Sequence, residues 1–296
     1  MLLQYVINGL IVGMPYALLA IGFALVYNTT KVFNIASASV QVFATYVYYL
    51  FSHSLDWTVG ASIAMAVMLS MLLSLLMEIT VYRPLYRRNA SNGLLMIASI
   101  GLMAIVNSLV TIALNNSVAT PKHIHGEGLP IIATIDITAE QVVQLLVGGL
   151  ALTLFLLFLK HTGWGRRFKA MGSDEGLFVS LGYDIFKTRT LAFLLSGFFI
   201  ALAGCLFICG SGSVISKEVS LDYFVLALAA MIIGGTGNYG ACLAGGVIVG
   251  IAKEVTVVKI GTWSLGGWLD VAIFGLLMLI LFYRPQGLFG QKQRSI

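Results

Sequence analysis

Residues 223–252 read YFVLALAAMIIGGTGNYGACLAGGVIVGIA, thirty residues without one Asp, Glu, Lys or Arg. As one helix rising 1.5 Å per residue they would reach about 45 Å, past the ~30 Å hydrocarbon core of a bilayer. Two full crossings need more. The middle, Gly234-Gly235-Thr236-Gly237-Asn238-Tyr239-Gly240, is where a helix is weakest, because each Gly costs up to ~1 kcal/mol relative to Ala. The stretch predicts a helix, a break and a second helix. Two readings of the break stand. Backbone opened within the membrane is tolerated only against protein or a water-filled cavity, and transporters use it to present polar groups to a substrate. Gly234, Gly235, Gly237 and Asn238 would then line a path. Alternatively the glycines form a short hairpin turn at the inner interface. The GxGxxG at Gly235–Gly240, with Glu254 behind it, imitates a dinucleotide fingerprint. Membrane-length flanks leave no room for a βαβ unit, so that match is discarded.

The rest of the chain repeats the pattern. Residues 1–30, 32–55, 57–77, 93–121, 141–159 and 190–216 also lack charged side chains. The sequence is 59% hydrophobic and 10% charged, with a mean hydropathy of +0.96. A soluble domain is about one quarter charged, and so few charges cannot cover a soluble surface. The expected fold is an all-α integral membrane protein, a polytopic bundle of eight or nine transmembrane helices, some broken or re-entrant. Crossings are predicted near 4–27, 34–52, 57–81, 93–115, 140–160, 190–210, 220–236, 241–259 and 264–283, in one domain covering 1–296. The N-terminus lacks the basic region of a signal peptide. Gly9, Gly13 and Ala17, and Gly246 and Gly250, recur every four residues, a spacing that lets helix backbones approach closely.

Basic residues orient the bundle. Thirteen of the 17 Lys and Arg fall on one side of these crossings: Lys31, Arg83, Arg87, Arg88, Lys160, Arg166, Arg167, Lys169, Lys187, Arg189, Arg284, Lys292 and Arg294. Only Lys122, Lys217 and Lys259 fall opposite, with Lys253 undecided. The first side is therefore cytoplasmic. This also accounts for the net charge of +5 without nucleic acid as a partner. The outer loop 116–139 carries His123 and His125, and Cys205 and Cys209 lie four apart. Neither set completes a ligand shell, so no metal is expected.

The inner loop 160–189 holds Arg166, Arg167, Phe168, Lys169, Ala170, Asp174, Glu175, Leu177 and Phe178. Residues Arg166–Leu181 contain no Pro and fit a short amphipathic helix stopped by Gly182. It can be a solvated connection or a docking surface for a cytoplasmic partner. A polar interruption, Asn34-Ile35-Ala36-Ser37-Ala38-Ser39-Val40-Gln41, opens the second crossing. Asn34, Ser37 and Gln41 share one helical stripe, with Ser39 beside it. Such residues line a path or mediate helix contact. Asn107, alone in an apolar run, caps a neighbouring backbone or touches that path.

No catalytic constellation and no P-loop occurs, so an enzyme is not expected. An intramembrane enzyme needs ionisable residues converging at depth. Glu78, Lys253, Glu254 and Asp270 are placed near run ends instead. If transport needs ATP, another chain binds it, and this chain needs no cofactor.

An ordered set of motifs resembles a known family. It comprises NGLIVGMPYALLAIGFALVY (8–27), Val32-Phe33-Asn34-Ile35-Ala36, Ala44-Thr45-Tyr46, Glu78, Tyr82-Arg83-Pro84-Leu85 and Ser99-Ile100-Gly101-Leu102. GWGRRFKA (163–170), Leu181-Gly182, the Gly234–Ala241 stretch and RPQGLFG (284–290) complete it. In order and spacing this is similar to the permease subunits of branched-chain amino acid ABC importers, the smaller permease type. The resemblance implies a bacterial inner-membrane location and a path for branched-chain or other neutral amino acids. It implies four kinds of neighbour: a second homologous permease, two cytoplasmic ATPases, a periplasmic substrate-binding protein and membrane lipid. It also implies that Arg166–Leu181 docks on the ATPase and that segments near Asn34 and Gly235 flank the path. Two departures stand out. The family commonly reads Asn-x-Ala-His-Gly-Glu where this chain has Asn34 to Ser39, so a charged group is gone from that turn. Phe178 replaces a small Ala. Relatives carry other amino acids, urea or short amides, and a stand-alone secondary carrier is the other alternative.

Overall fold

The computed structural model describes residues 2–114, 129–132, 135–211, 217–235, 237–256, 259–260 and 263–264, with 271, 275, 278, 279, 282, 283 and 287 singly. The loop with His123 and His125 and most of the crossing predicted at 264–283 lie outside these residues. So do Asp270, Arg284, Lys292 and Arg294.

The described chain is a helical bundle with two small β-hairpins. Helix α1 runs Leu2–Thr30 and α2 runs Ser37–Tyr49, continued by a π-helical turn Leu50–Ser54. Helix α3 runs Val59–Met77 and passes through a second π turn, Glu78–Tyr82, into the short α4, Arg83–Arg87. Next come α5, Asn92–Ala113, the hairpin β1–β2 (Leu129–Ile132 and Ile135–Ile137), and α6, Ala139–His161. Helices α7, Gly163–Ser173, and α8, Glu175–Ser180, precede α9, Ile185–Ser211. Helices α10, Lys217–Gly234, and α11, Tyr239–Thr256, are followed by a hairpin of β3 (Lys259–Ile260) and β4 (Trp263–Ser264). The charge-free run 223–252 is thus a helix, a break and a helix.

Among the described residues, five helical spans are long and apolar enough to cross a membrane: Val6–Thr30, Val59–Arg87, Asn92–Ala113, Glu140–His161 and Ile185–Gly210. Helices α1 and α9 are central, with 83% and 78% of their most apolar windows buried. The other three are 22–28% buried and show rows such as Met68, Leu72 and Leu76, or Leu146, Leu150 and Leu154, to the outside. A bilayer accepts such rows, whereas water does not.

Local chemistry fixes the ends and joints. Lys31 closes α1 in the left-handed region, φ 56°, with its N–H on Tyr27 O. Ser91 caps α5, and Thr138 with Gln141 forms a capping box on α6. Pro15 sits inside α1, where it cannot donate to Ile11 O. The Gln144 side chain of α6 supplies that donor at 3.3 Å. The predicted small-residue spacing is the α1–α11 seam. A Cβ at Gly9 would lie 2.7 Å from Ile251 Cα and one at Gly13 2.9 Å from Val247 Cα, while Cβ atoms at Gly246 and Gly250 would overlap the α1 backbone.

Candidate translocation and coupling sites

The polar interruption folds as a tight entry to α2. Asn34 to Ala36 form turns whose carbonyls accept from Ser37, Ala38, Ser39 and Val40 N–H. Ser39 donates to Ala36 O at 2.7 Å. Ile35 N–H donates to Ser99 Oγ of α5 at 3.3 Å, and Tyr82 O–H donates to Asn34 Oδ1 at 2.6 Å. Gln41 turns toward α9, where a Cβ at Gly204 would stand 3.1 Å from its Cγ. Asn34, Ser37, Ser39 and Gln41 are all buried, and Gln41 Oε1 has no hydrogen-bond partner.

Around Tyr82 stands a group that sequence reasoning missed. Glu78, read as a run end, and Arg189, read as the end of the cytoplasmic loop 160–189, are both fully buried and 3.9 Å apart. Arg189 also stacks on the Tyr86 ring at 4.1 Å. Taking each ion out of water costs several kcal/mol, which only good geometry recovers. The available signal was that Glu78 and Arg189 each abut a charge-free run.

Asn107 lies elsewhere. It lines a groove of about 570 Å³ with Met103, Ser108, Thr111 and Ile112 of α5 and Leu221 of α10. The break between α10 and α11 lies at the charged end of the bundle. Gly237 and Asn238 line a cavity of about 370 Å³ with Lys160, Gly165 and Lys169. Asn238 O accepts from Ala241 and Cys242 N–H, and its Oδ1 from Gly240 N–H. Gly235 has φ 110°, and a Cβ on Gly287 would stand 2.7 Å from its Cα. That position excludes a side chain, whereas Gly237 faces open space. The predicted path residues therefore fall in three places: the α2 entry, the α5–α10 groove and the α10–α11 link.

The segment Arg166–Leu181 is two helices rather than one. Asp174 breaks it and caps α8, its Oδ1 accepting from Leu177 N–H at 3.0 Å. Gly182 ends α8 at φ 79°, as read from the sequence. Phe168, Met171 and Phe178 point inward and are buried, so the larger apolar side chains of this segment pack within the protein and do not form an outer docking face. Phe178 stacks on Tyr183 at 5.1 Å, and Arg167 lies over Trp164 at 4.5 Å and Tyr183 at 5.2 Å. Lys31 donates to Gly172 O and so ties α1 to α7. Burial holds its ammonium below the ordinary lysine value, against the pull of Glu175. Leu177, Val179 and Leu181 of this segment stay exposed, beside Arg166, Lys169, Asp174 and Ala170, which is half-buried.

A multi-pass helical membrane protein with a two-helix segment presented at its basic end is the class these features define. Residues 5–282 match the family described as "Branched-chain amino acid transport system / permease component", and the chain belongs to that family. It is 27% identical to the high-affinity branched-chain amino acid transport system permease protein LivH of Escherichia coli, over 98% of this chain and 96% of the other. It is 26% identical to BraD of Pseudomonas aeruginosa, named likewise, with the same coverage. A solved chain of PsaBC from Streptococcus pneumoniae in complex with Fab shares the fold, with a TM-score of 0.51, 14% identity, 97% of this chain and 92% of that chain covered. LivH and BraD are both named as transport system permease proteins.

Proposed function

We propose that this chain is one of two homologous permeases of an ATP-driven importer for branched-chain or other neutral amino acids in a bacterial inner membrane. Its basic end faces the cytoplasm, eight or nine crossings form one domain over 1–296, and ATP is bound by two partner ATPases. A periplasmic binding protein delivers the substrate. The observation that carries this reading is the α7–α8 segment. It is anchored inward by Phe168, Met171 and Phe178 yet leaves Leu177 59%, Val179 49% and Leu181 63% exposed. Three neighbouring apolar side chains beyond the apolar spans need a partner surface.

In this reading the neutral polar groups Asn34, Ser37, Ser39 and Gln41, with Asn107 in its groove, line the path. Gly234, Gly235, Gly237 and Asn238 form its inner mouth beside α7. A zwitterionic amino acid passes neutral dipoles without being trapped at a fixed charge. Leu177→Asp/Leu181→Asp should insert normally, because both side chains point outward, but should no longer recover the ATPases on purification. Intact recovery of the complex would remove α8 from the docking surface. Uptake into vesicles holding all partners should stop without ATP. Uptake by the chain alone would instead support a stand-alone carrier, and competition by urea or short amides would change the substrate class.

A further inference from the structure

Helix α3, with the π turn and α4 that continue it, meets α9 through residues spaced four apart on each side. Ser74, Glu78, Tyr82 and Tyr86 face Arg189, Phe193 and Gly197. Ser74 Oγ donates to Phe193 O at 2.7 Å, and a Cβ at Gly197 would lie 2.8 Å from Ser74 Cβ. The Phe193 and Tyr82 rings are 5.1 Å apart. Of these seven residues, Glu78 and Arg189 alone are charged. Their closest approach, 3.9 Å, is too long for a hydrogen bond. Neither carboxylate oxygen and none of the three guanidinium nitrogens has a hydrogen-bond partner. A buried pair so poorly satisfied is a weak source of stability, and apolar side chains of similar volume often replace such pairs without loss.

The position of the pair points to another role. Arg189 lies in the second turn of α9, the helix that follows α8 and Gly182 in the chain. Glu78 opens a π-helical turn that ends at Tyr82, and single π turns inside helices recur at functional sites. Tyr82 O–H then holds Asn34 Oδ1 at 2.6 Å, at the entry of α2. Along the chain α8 leads through Gly182 into the start of α9, where Arg189 meets Glu78 at 3.9 Å, and Glu78 opens the π turn ending at Tyr82, whose hydroxyl holds Asn34. Small residues at the same seam would let α3 and α9 slide, whereas opposite charges resist separation along their whole approach.

We infer that Glu78 and Arg189 are positioning residues for transport, which fix Tyr82 against Asn34 so that movement of α8 and the start of α9 reaches the polar turn. The inference rests on the importer reading above. Its test is Glu78→Leu/Arg189→Leu in the assembled transporter, read as complex recovery, ATP hydrolysis, and the maximal rate and KM of uptake. The double variant should assemble and hydrolyse ATP. Uptake per ATP should fall roughly tenfold, through the maximal rate rather than KM. Tyr82→Phe, which keeps the ring on Phe193 and removes only the hydroxyl, should lower the same ratio. Wild-type uptake per ATP in the double variant would make the pair mere filling and overturn the inference. If the double variant fails to fold, an unchanged ratio in Tyr82→Phe overturns it instead. Asn34→Ala separates the two levels. If it leaves uptake intact, the path reading fails and the inference with it. If it lowers uptake while the double variant does not, the inference alone fails.

Discussion

Two of the seams in this bundle are built on opposite principles. Between α1 and α11 the backbones touch through Gly9, Gly13, Ala17, Gly246 and Gly250. Between α3 and α9 the approach is also close, at Gly197, but it carries Glu78 and Arg189 with no exposure at all. Lipid is as apolar as a leucine side chain, so burial alone does not drive helices together in a membrane. Close backbone contact supplies dispersion at no desolvation cost, whereas a buried ion pair must first recover the loss of water. The first seam is what stability demands. The second keeps charges that stability does not demand.

The largest effect that can break this contrast lies in the glycine seam. A Cβ at Gly250 would overlap Gly13 and the Gly9 carbonyl, and backbone cannot move aside as a side chain can. Gly250→Leu should exceed the ~1–3 kcal/mol of ordinary overpacking. No folded peak should survive size-exclusion chromatography. A folded Gly250→Leu protein would show that α1 and α11 are not held as described.

The charged seam should respond next, and asymmetrically. Arg189→Leu alone strands the Glu78 carboxylate and should cost roughly 3–5 kcal/mol of stability. Glu78→Leu/Arg189→Leu should unfold close to wild type, because both charges leave together. Thermal unfolding in detergent checks the pair. A double variant as unstable as the single one would make the ion pair a structural element, and the two seams would no longer differ in kind.

The sequence made one seam legible and hid the other for physical reasons. Spacing of four among Gly9, Gly13 and Ala17, and between Gly246 and Gly250, is a direct image of helix geometry. The break at Gly234–Gly240, the stop at Gly182 and the bundle of charge-free helices were legible for the same reason: each is local. Glu78 and Arg189 are 111 positions apart, and nothing local marks them as neighbours. Each looked like the charged edge of an apolar run. The inward turn of Phe168, Met171 and Phe178 was hidden similarly. A mixed helix shows that it has two faces, but only tertiary packing says which one is covered. Asp174, a good cap, was the one local sign that Arg166–Leu181 would be two helices.

The smallest expected effect has the opposite sign and isolates the seam from the residue type. Gly149 sits within α6 (Ala139–His161), as Gly250 sits within α11 (Tyr239–Thr256). Its neighbour Gly148 faces Met14 of α1, with a Cβ there 3.4 Å from Met14 Cβ, whereas a Cβ at Gly149 would meet nothing within 4 Å. A helix-interior Gly costs roughly 0.5–1 kcal/mol relative to Ala, since it loses more conformational freedom on folding. Gly149→Ala should therefore raise stability by up to about that amount, seen as a small upward shift in thermal unfolding of the purified chain. If Gly149→Ala destabilises the isolated protein, glycine in these helices serves something other than close approach, and the small-residue account of the α1–α11 seam weakens with it. If the gain appears in the isolated chain but recovery of the assembled transporter falls, the open face of α6 at Gly149 meets a second protein subunit rather than lipid.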